Sequence, residues 1–280
     1  MSTVWAGSTK RCPPPLCKGG GLLGMLKAVE YIGKVGVGVT APAFYRADDT
    51  KVYVVKRLTN RVGNRVLISE LFAAAFGRAT GLIFPPAAPI DLSAFLRPGA
   101  APVHFASAYV PNCRYADRSN IVQADNLREM AGVILFDHLF HNADRTNNRK
   151  NLLLSRMEEG ARLYAIDNSH LFKTGRWTIE KLEALAERSQ LYANFLYGVL
   201  LRRYLCTDDF APYLARLRAL TPAEIDAMLA AIPDGWFDEE GLRDALRRFT
   251  LRRLEKLDEV YRLLRQMLPA ASDEAEAESK

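Results

Sequence analysis

Cysteine and long apolar runs are scarce in this sequence. It has four cysteines among 280 residues, and the only close pair, Cys12 and Cys17, flanks a segment with three prolines. Because no second pair of cysteines or nearby histidines accompanies it, this pair does not indicate a zinc site, and we expect free thiols in a reducing compartment. No apolar run is as long as a membrane span. The N-terminus lacks the apolar core and cleavage site of a secretory signal, so we expect a soluble, cytoplasmic protein.

A strong excess of charge of one sign is also missing. Lysine and arginine number 38 and aspartate and glutamate 32, which gives a net charge of +6 and a pI near 9.1. Such a mildly basic chain suits an anionic ligand such as a nucleotide as well as it suits nucleic acid. No helix-turn-helix pattern is evident, so we expect no direct binding to nucleic acid.

Both ends of the chain have compositions typical of disorder. Residues 1–24 are polar and rich in proline and glycine, and we predict a disordered arm there. The composition changes at Met25, which could be the true start of the protein. Residues 269–280 are acidic and rich in alanine, and we predict a disordered tail. The chain between them is long enough for one large domain or for two lobes with separate cores.

A glycine-rich segment opens the first ordered part. Residues 29–39 alternate β-branched residues with glycines, which favours a strand, a turn and a strand. The glycines, Gly36 and Gly38 among them, would let backbone N–H groups approach phosphates closely, although such turns without a ligand are commoner. A second strand, Lys51–Lys56, ends in a lysine that can neutralise phosphates. The alternative for Lys56 is a solvated residue at a strand end.

A helix is predicted next, over residues 66–79, with Gly81 as its stop signal. Glu70 lies within this otherwise apolar helix and needs a partner, and Lys56 is the obvious candidate. Strand-like segments follow, and the second of them ends at Tyr109 and Val110. The Pro-Asn dipeptide after Val110 indicates a hinge.

A polar segment, residues 141–151, precedes two short apolar runs separated by a glycine-containing turn at residues 156–160. The first run follows Asn151, and the second ends at Asp167. Because a hairpin brings the start of its first strand close to the end of its second, Asp144, Asn151 and Asp167 should converge. Two carboxylates and a carboxamide there suit the binding of Mg²⁺ on a nucleotide and the orientation of a hydroxyl for attack. The alternative is that the two aspartates have only a structural role and cap the ends of the strands.

The second half of the chain shows mainly helical patterns. One apolar stripe ends at Leu139, just before the polar segment. Further patterns predict helices over residues 178–205, 209–219 and 238–267, and Thr221–Glu224 has the cap, proline and acid of a helix start. The mixed charges of residues 238–267 indicate a solvated face.

The order of these parts resembles that of the protein-kinase-like fold: glycine turn, strand lysine, helix glutamate, hinge, Asp with Asn, hairpin, and a second Asp. The residues of these motifs are most similar to those of the HipA-like kinase family. The matching segments are Tyr53–Lys56, Ser69–Leu71, Phe136–Thr146, Asn151–Leu154, Ile166–His170 and Ile232–Trp236. The resemblance implies an α+β, two-lobed protein-kinase-like fold. A small β-rich N-lobe would cover residues 25–111, and a larger helical C-lobe would cover residues 112–268.

The resemblance also implies a function, the ATP- and Mg²⁺-dependent transfer of the γ-phosphate to a hydroxyl, that of a protein Ser or Thr. Asp144 would orient or deprotonate the acceptor hydroxyl, and Asp167 would hold Mg²⁺. Lys56, braced by Glu70, would bind phosphates. The strand ending at Tyr109–Val110 would meet the adenine through backbone groups.

Two asparagines compete as the second metal ligand. The common spacing places this ligand five residues after the catalytic Asp, where this chain has Arg149. Asn148 is one residue short of that place, and Asn151 is two residues beyond it. We favour Asn151, because it directly precedes the strand, whereas Asn148 belongs to a polar loop.

Two alternatives to an active protein kinase stay open. Because of the altered asparagine spacing, and because Asp167-Asn168-Ser169 replaces the usual Asp-Phe-Gly, the chain could be a catalytically impaired pseudokinase. Such a protein would act as a nucleotide-binding interaction module. The second alternative is a small-molecule kinase, since the acceptor cannot be deduced from these motifs.

Overall fold

A computed structural model of the protein describes residues 24–36, 40–59 and 63–269. Nearly all of the predicted arm and tail, and Gly38, lie outside the described residues. The strands in these ranges are β1 (Leu26–Lys34), β2 (Ala43–Ala47), β3 (Val52–Lys56), β4 (Ala87–Asp91), β5 (Val103–Ala108), β6 (Cys113–Tyr115), β7 (Leu152–Met157) and β8 (Gly160–Ala165). The α-helices are α1 (Asn64–Thr80), α2 (Met130–Leu139), α3 (Asp144–Asn147), α4 (Ile179–Ala186), α5 (Phe195–Arg203), α6 (Thr207–Ala219), α7 (Pro222–Ala230), α8 (Leu242–Glu255) and α9 (Leu257–Arg265).

The first five strands form a closed barrel in the order β1-β2-β3-β5-β4. Its neighbours are antiparallel except for β1 and β4, which pair in parallel where Leu26 lies opposite Ile90. The barrel encloses its own small core, in which alanines alternate with larger side chains such as Tyr45, Tyr53 and Val55. This closure leaves no free sheet edge at β1 or β4.

Helix α1 packs into a second and larger core, which it shares with the helical part of the chain. Phe72 and Phe76 contact Phe140 with ring centroids 5.2 and 4.8 Å apart, in the edge-to-face geometry that aromatic rings favour. The buried Trp177 donates its indole N–H to Ser69 Oγ at 2.9 Å. The predicted stop at Gly81 is confirmed, because its φ of 76° is a left-handed value that suits glycine.

Strands β6, β7 and β8 form a separate antiparallel sheet. The predicted hairpin is confirmed: Leu152 pairs with Ala165 at its open end, and Met157 pairs with Gly160 at its turn. Strand β6, which the sequence did not predict, follows the proposed hinge and pairs with β7. The open end of the hairpin therefore lies beside the chain that leaves the barrel.

Two of the predicted helices are wrong in extent. Residues 178–205 form two helices, α4 and α5, because the backbone N–H of Tyr192 leaves the helical pattern and donates to His138 Nε2 at 2.9 Å. Residues 238–267 also divide, with a break at Lys256. The prediction that the charged residues of this second segment face solvent is wrong for Arg253. This residue is fully buried and donates to the carbonyls of Leu139 and Ala186. These carbonyls lie at the C-terminal ends of α2 and α4, where a cation is favourable.

Candidate active site

A cleft of about 1150 Å³ lies between the barrel, α1 and the open end of the β7–β8 hairpin. Among the residues predicted for the site, those on its wall are Lys56, Glu70, Val110, Asp144, Asn148, Asn151 and Asp167. Tyr109 lies beside the wall, with its ring against Phe44 at a centroid distance of 5.6 Å and its N–H on Val52 O at 3.0 Å. Gly36 has a φ of 82°, which suits glycine, and its neighbour Val35 lines the cleft.

Lys56 joins two carboxylates from distant parts of the chain. Its Nζ contacts Glu70 Oε1 and lies 2.9 Å from Asp167 Oδ1. Burial disfavours the charged amine, but Asp167 and Glu70 outweigh it and raise the pKa of Lys56. Burial likewise opposes the ionised form of Asp167, yet Lys56 and Ser169 hold its pKa well below the usual range. Burial raises the pKa of Glu70, and Lys56 opposes this shift. The predicted Lys56–Glu70 pair is therefore present, with Asp167 as a third member.

The chain around Asp167 is held in an unusual backbone conformation. Asp167 has a φ of 60°, a left-handed value that is costly for a residue other than glycine. Hydrogen bonds on both sides support it. Ser169 Oγ donates to Asp167 Oδ1 at 2.5 Å, and the N–H of Asn168 donates to Glu70 Oε2 at 3.1 Å. The turn after β8 thus fixes Asp167 to the same glutamate that contacts Lys56.

Asp144 is the first residue of α3, on the opposite side of the hairpin opening. Its Oδ2 accepts from Asn151 Nδ2 at 2.6 Å and more weakly from Asn148 Nδ2 at 3.4 Å. The side-chain oxygen of Asn148, Oδ1, already accepts from the backbone N–H of Lys150 at 3.1 Å, so this side chain caps its own loop. The exposed imidazole of His170 lies 3.9 Å from Asp144 Oδ2. The geometry therefore brings Asp144 and Asn151 into direct contact.

A buried ion pair that sequence reasoning missed lies beneath Asp144. Arg145 and Asp137 are both fully buried, with 2.9 Å between Arg145 Nε and Asp137 Oδ2. Arg145 also donates to the carbonyl of Asn151 at 3.0 Å and to the carbonyl of Ile166. It therefore holds the start of β7 and the end of β8 together. The segment Phe136–Thr146 contained the only signal, an acid and a base eight residues apart.

The two histidines near the site differ. His141 is fully buried, bonds Tyr192 Oη at 3.0 Å and Leu185 O at 3.1 Å, and has its pKa lowered to about 3 by burial. Both ring nitrogens of His141 are therefore engaged within the protein. His170 has a side chain that is 55% exposed and faces Asp144.

The donor set of the cleft fits a hard cation that is held partly by a nucleotide. Within the described ranges, no three His, Cys, Asp or Glu side chains are grouped so that they could hold a metal ion by themselves. Asp167 and Asn151 do offer a carboxylate and a carboxamide to the same cleft. Mg²⁺ takes oxygen ligands and is commonly bound through one or two carboxylates together with substrate phosphates. The chemistry of these residues is therefore compatible with Mg²⁺.

Solved structures with similar folds include a bacterial kinase. The chain matches a Helicobacter pylori proinflammatory kinase, CtkA, with a TM-score of 0.55 and 12% identity over 84% of this chain and 94% of that one. It also matches hydra Fam20 with sugar, at a TM-score of 0.44 and 13% identity over 86% of both chains. The Golgi casein kinase with Mn/ADP bound matches at a TM-score of 0.43 and 9% identity, over 86% of this chain and 72% of that one. The likeness to CtkA shows a kinase-like α+β fold.

The sequence profile of the HipA-like kinases matches residues 28–262, which is most of the chain. The chain belongs to the HipA-like kinase family, as its motifs indicated. No curated protein sequence is significantly similar to it. In the part of the chain that the structure describes, no helix is long and apolar enough to cross a membrane.

Proposed function

We propose that the protein is an ATP- and Mg²⁺-dependent kinase that transfers the γ-phosphoryl group to the hydroxyl of a protein Ser or Thr in the cytoplasm. The observation that carries this proposal is the arrangement across one cleft. On one side Lys56 lies between Glu70 and Asp167, and on the other Asn151 orients Asp144. Both groups line the same cavity, whose volume is ample for a nucleotide.

The barrel side of the cleft is the proposed nucleotide site. Lys56 supplies a cation for the phosphates, and Glu70 keeps its Nζ in place, as the lysine and glutamate of kinases do. The backbone around Gly36 and Gly38 would cover the phosphates, and the backbone at Tyr109–Val110 would meet the adenine. The proposed lobes, residues 25–111 and 112–268, would close on the nucleotide from two sides.

The hairpin opening is the proposed metal site. Asp167 and Asn151 would hold Mg²⁺, and Asn148 is the weaker candidate because its side-chain oxygen Oδ1 caps the loop. When bound, the cation neutralises charge that develops on the phosphoryl oxygens. Because Lys56 Nζ lies 2.9 Å from Asp167 Oδ1, the phosphates and the metal would compete with this ion pair.

Asp144 is the proposed catalytic residue. Its side chain is 29% exposed and can be reached by an acceptor hydroxyl, while the bond from Asn151 fixes its orientation. Asp144 would accept the hydroxyl proton as the acceptor oxygen forms a bond to the γ-phosphorus. The bond from that phosphorus to the bridging oxygen breaks, and ADP leaves. Positioning and charge neutralisation would supply most of the rate enhancement.

The alternatives are a pseudokinase that binds nucleotide without transfer and a small-molecule kinase. The pseudokinase alternative rests on the displaced asparagine and on Asp167-Asn168-Ser169 in place of Asp-Phe-Gly. The contact of Asn151 with Asp144 supports an active site instead, because the longer loop still delivers a carboxamide to the aspartate.

Incubation of the purified full-length protein with γ-labelled ATP and Mg²⁺, alone and with a cell lysate, tests the proposal. We expect label on protein Ser or Thr, loss of label with EDTA, and a drop of about 100-fold or more in Asp144→Asn. Calorimetry should show that this variant still binds Mg-ATP. Binding without any transfer would favour the pseudokinase, and undiminished transfer by Asp144→Asn would refute the proposed mechanism.

A further inference from the structure

Two cations on the wall of the cleft have no acidic partner among the residues that the structure describes, Lys150 and Arg176. The other Lys and Arg side chains of the wall, Lys56 and Arg65, each contact two carboxylates. Lys150 and Arg176 are both exposed. Their charge is therefore available to a ligand that enters the cleft.

Lys150 lies next to the proposed catalytic group. Its backbone N–H is fixed by Asn148 Oδ1 at 3.1 Å, and the following residue, Asn151, donates to Asp144 Oδ2 at 2.6 Å. Because Lys150 and Asp144 line the same cleft, an acceptor chain that presents a hydroxyl to Asp144 enters the cavity that Lys150 borders.

Arg176 belongs to the loop that follows Asp167, and its backbone position is also fixed. Its N–H donates to Thr174 Oγ1 at 3.3 Å, and the next residue, Trp177, is buried and bonded to Ser69 of α1. Arg176 thus lines the cleft from the loop before α4. Unpaired cations in a concave site raise the local positive potential.

We propose that Lys150 and Arg176 form an anion-binding subsite for the acceptor, so that the enzyme prefers a peptide with acidic residues flanking the phosphorylated Ser or Thr. This inference rests on the proposed function. The buried Lys56 is already committed to the nucleotide side, which leaves these two exposed cations for the second substrate. Exposed ion pairs of this kind would change kcat/KM by up to about fivefold each.

The test uses synthetic peptides with one central Ser in an alanine and glycine background. Asp, Lys or Ala is placed at each flanking position in turn, and kcat/KM is measured with the full-length protein and Mg-ATP. We expect the best Asp peptide to exceed its Lys counterpart by about tenfold. Lys150→Ala and Arg176→Ala should each reduce this ratio, and Lys150→Glu should reverse it.

Exposed cations away from the cleft provide matched controls. Lys181→Ala on α4 and Arg203→Ala on α5 should leave both the peptide ratio and the KM for ATP unchanged. A raised KM for ATP in Lys150→Ala, with an unaltered peptide ratio, would assign Lys150 to the nucleotide and overturn the inference.

The remaining outcomes separate the inference from the proposed function. Transfer to all peptides without an acidic preference overturns the subsite and leaves the kinase intact. Binding of Mg-ATP with transfer to none of the peptides overturns the acidic peptide acceptor. Absence of Mg²⁺-dependent ATP binding in the wild-type protein overturns the proposed function itself.

Discussion

The buried ion pair beneath the active site allows a sharp test by the substitution Asp137→Asn. Three donors point at this carboxylate: Arg145 Nε at 2.9 Å, Asn142 Nδ2 at 3.1 Å and the hydroxyl of Tyr197. An asparagine keeps the shape but offers one acceptor oxygen instead of two and no charge. Arg145 is then left as a buried cation without its counter-charge. Breaking one partner of such a pair costs about 3–5 kcal/mol, which is a large part of the roughly 5–15 kcal/mol that stabilises an ordinary domain.

The assay is chemical denaturation followed by circular dichroism and tryptophan fluorescence. The matched control is Asp258→Asn, which breaks a pair of similar length, 2.7 Å, whose side chains are 57% and 70% exposed. We expect the control to lose no more than about 1 kcal/mol. The double variant Asp137→Leu with Arg145→Met removes both charges and should lose less than Asp137→Asn alone. Equal losses in Asp137→Asn and Asp258→Asn would refute the reasoning, because burial would then make no difference.

Three further predictions concern the metal, the asparagines and pH. Asp167→Asn should weaken ATP binding more with Mg²⁺ than without it, as measured by calorimetry, and an equal loss in both conditions would remove Asp167 from the metal site. Asn151→Ala should raise the Mg²⁺ requirement and cut turnover sharply, while Asn148→Ala should have only a mild effect on both. A larger effect of Asn148→Ala would assign the metal to Asn148. Burial lowers the pKa of His138 to about 4. Between pH 6.5 and about pH 4 the unfolded chain therefore binds a proton at this residue that the folded protein does not. The free energy of unfolding falls in this range by up to about 1.4 kcal/mol per pH unit. Denaturation at pH 7.5, 6.5, 5.5 and 4.5 should show a flatter decline in His138→Gln than in the wild type, and identical slopes would contradict the prediction.

Much of the site could be predicted because its residues lie at the ends of regular elements. Asp167 follows one strand of a hairpin and Asn151 precedes the other, so the pairing of Leu152 with Ala165 alone brings them together. The Lys56–Glu70 ion pair could be predicted from the expectation that a charged residue within an apolar element has a partner. The convergence of these residues was therefore predictable, whereas their catalytic and metal-binding roles stay predictions.

The parts that escaped prediction are charged side chains buried by distant segments. Arg253 belongs to a run of alternating charges that is typical of a solvated helix, and nothing local shows that Leu139 and Ala186 end their helices beside it. Asp137 and Arg145 were likewise read only as parts of a motif. Burial of such groups depends on which carbonyls and carboxylates the tertiary fold brings near, and a pattern of residue types does not contain that information.

The packing of α1 has a consequence for how the cleft can widen. Because Phe72 and Phe76 pack against Phe140 in the larger core, and Ser69 accepts a bond from Trp177, α1 ties the glutamate that it carries to the helical part of the molecule. Lys56 belongs to the barrel. Any displacement of the barrel away from the helices must therefore stretch the contacts of Lys56 with both Glu70 and Asp167. Widening of the cleft would thus change the surroundings of the lysine that we propose to bind the phosphates.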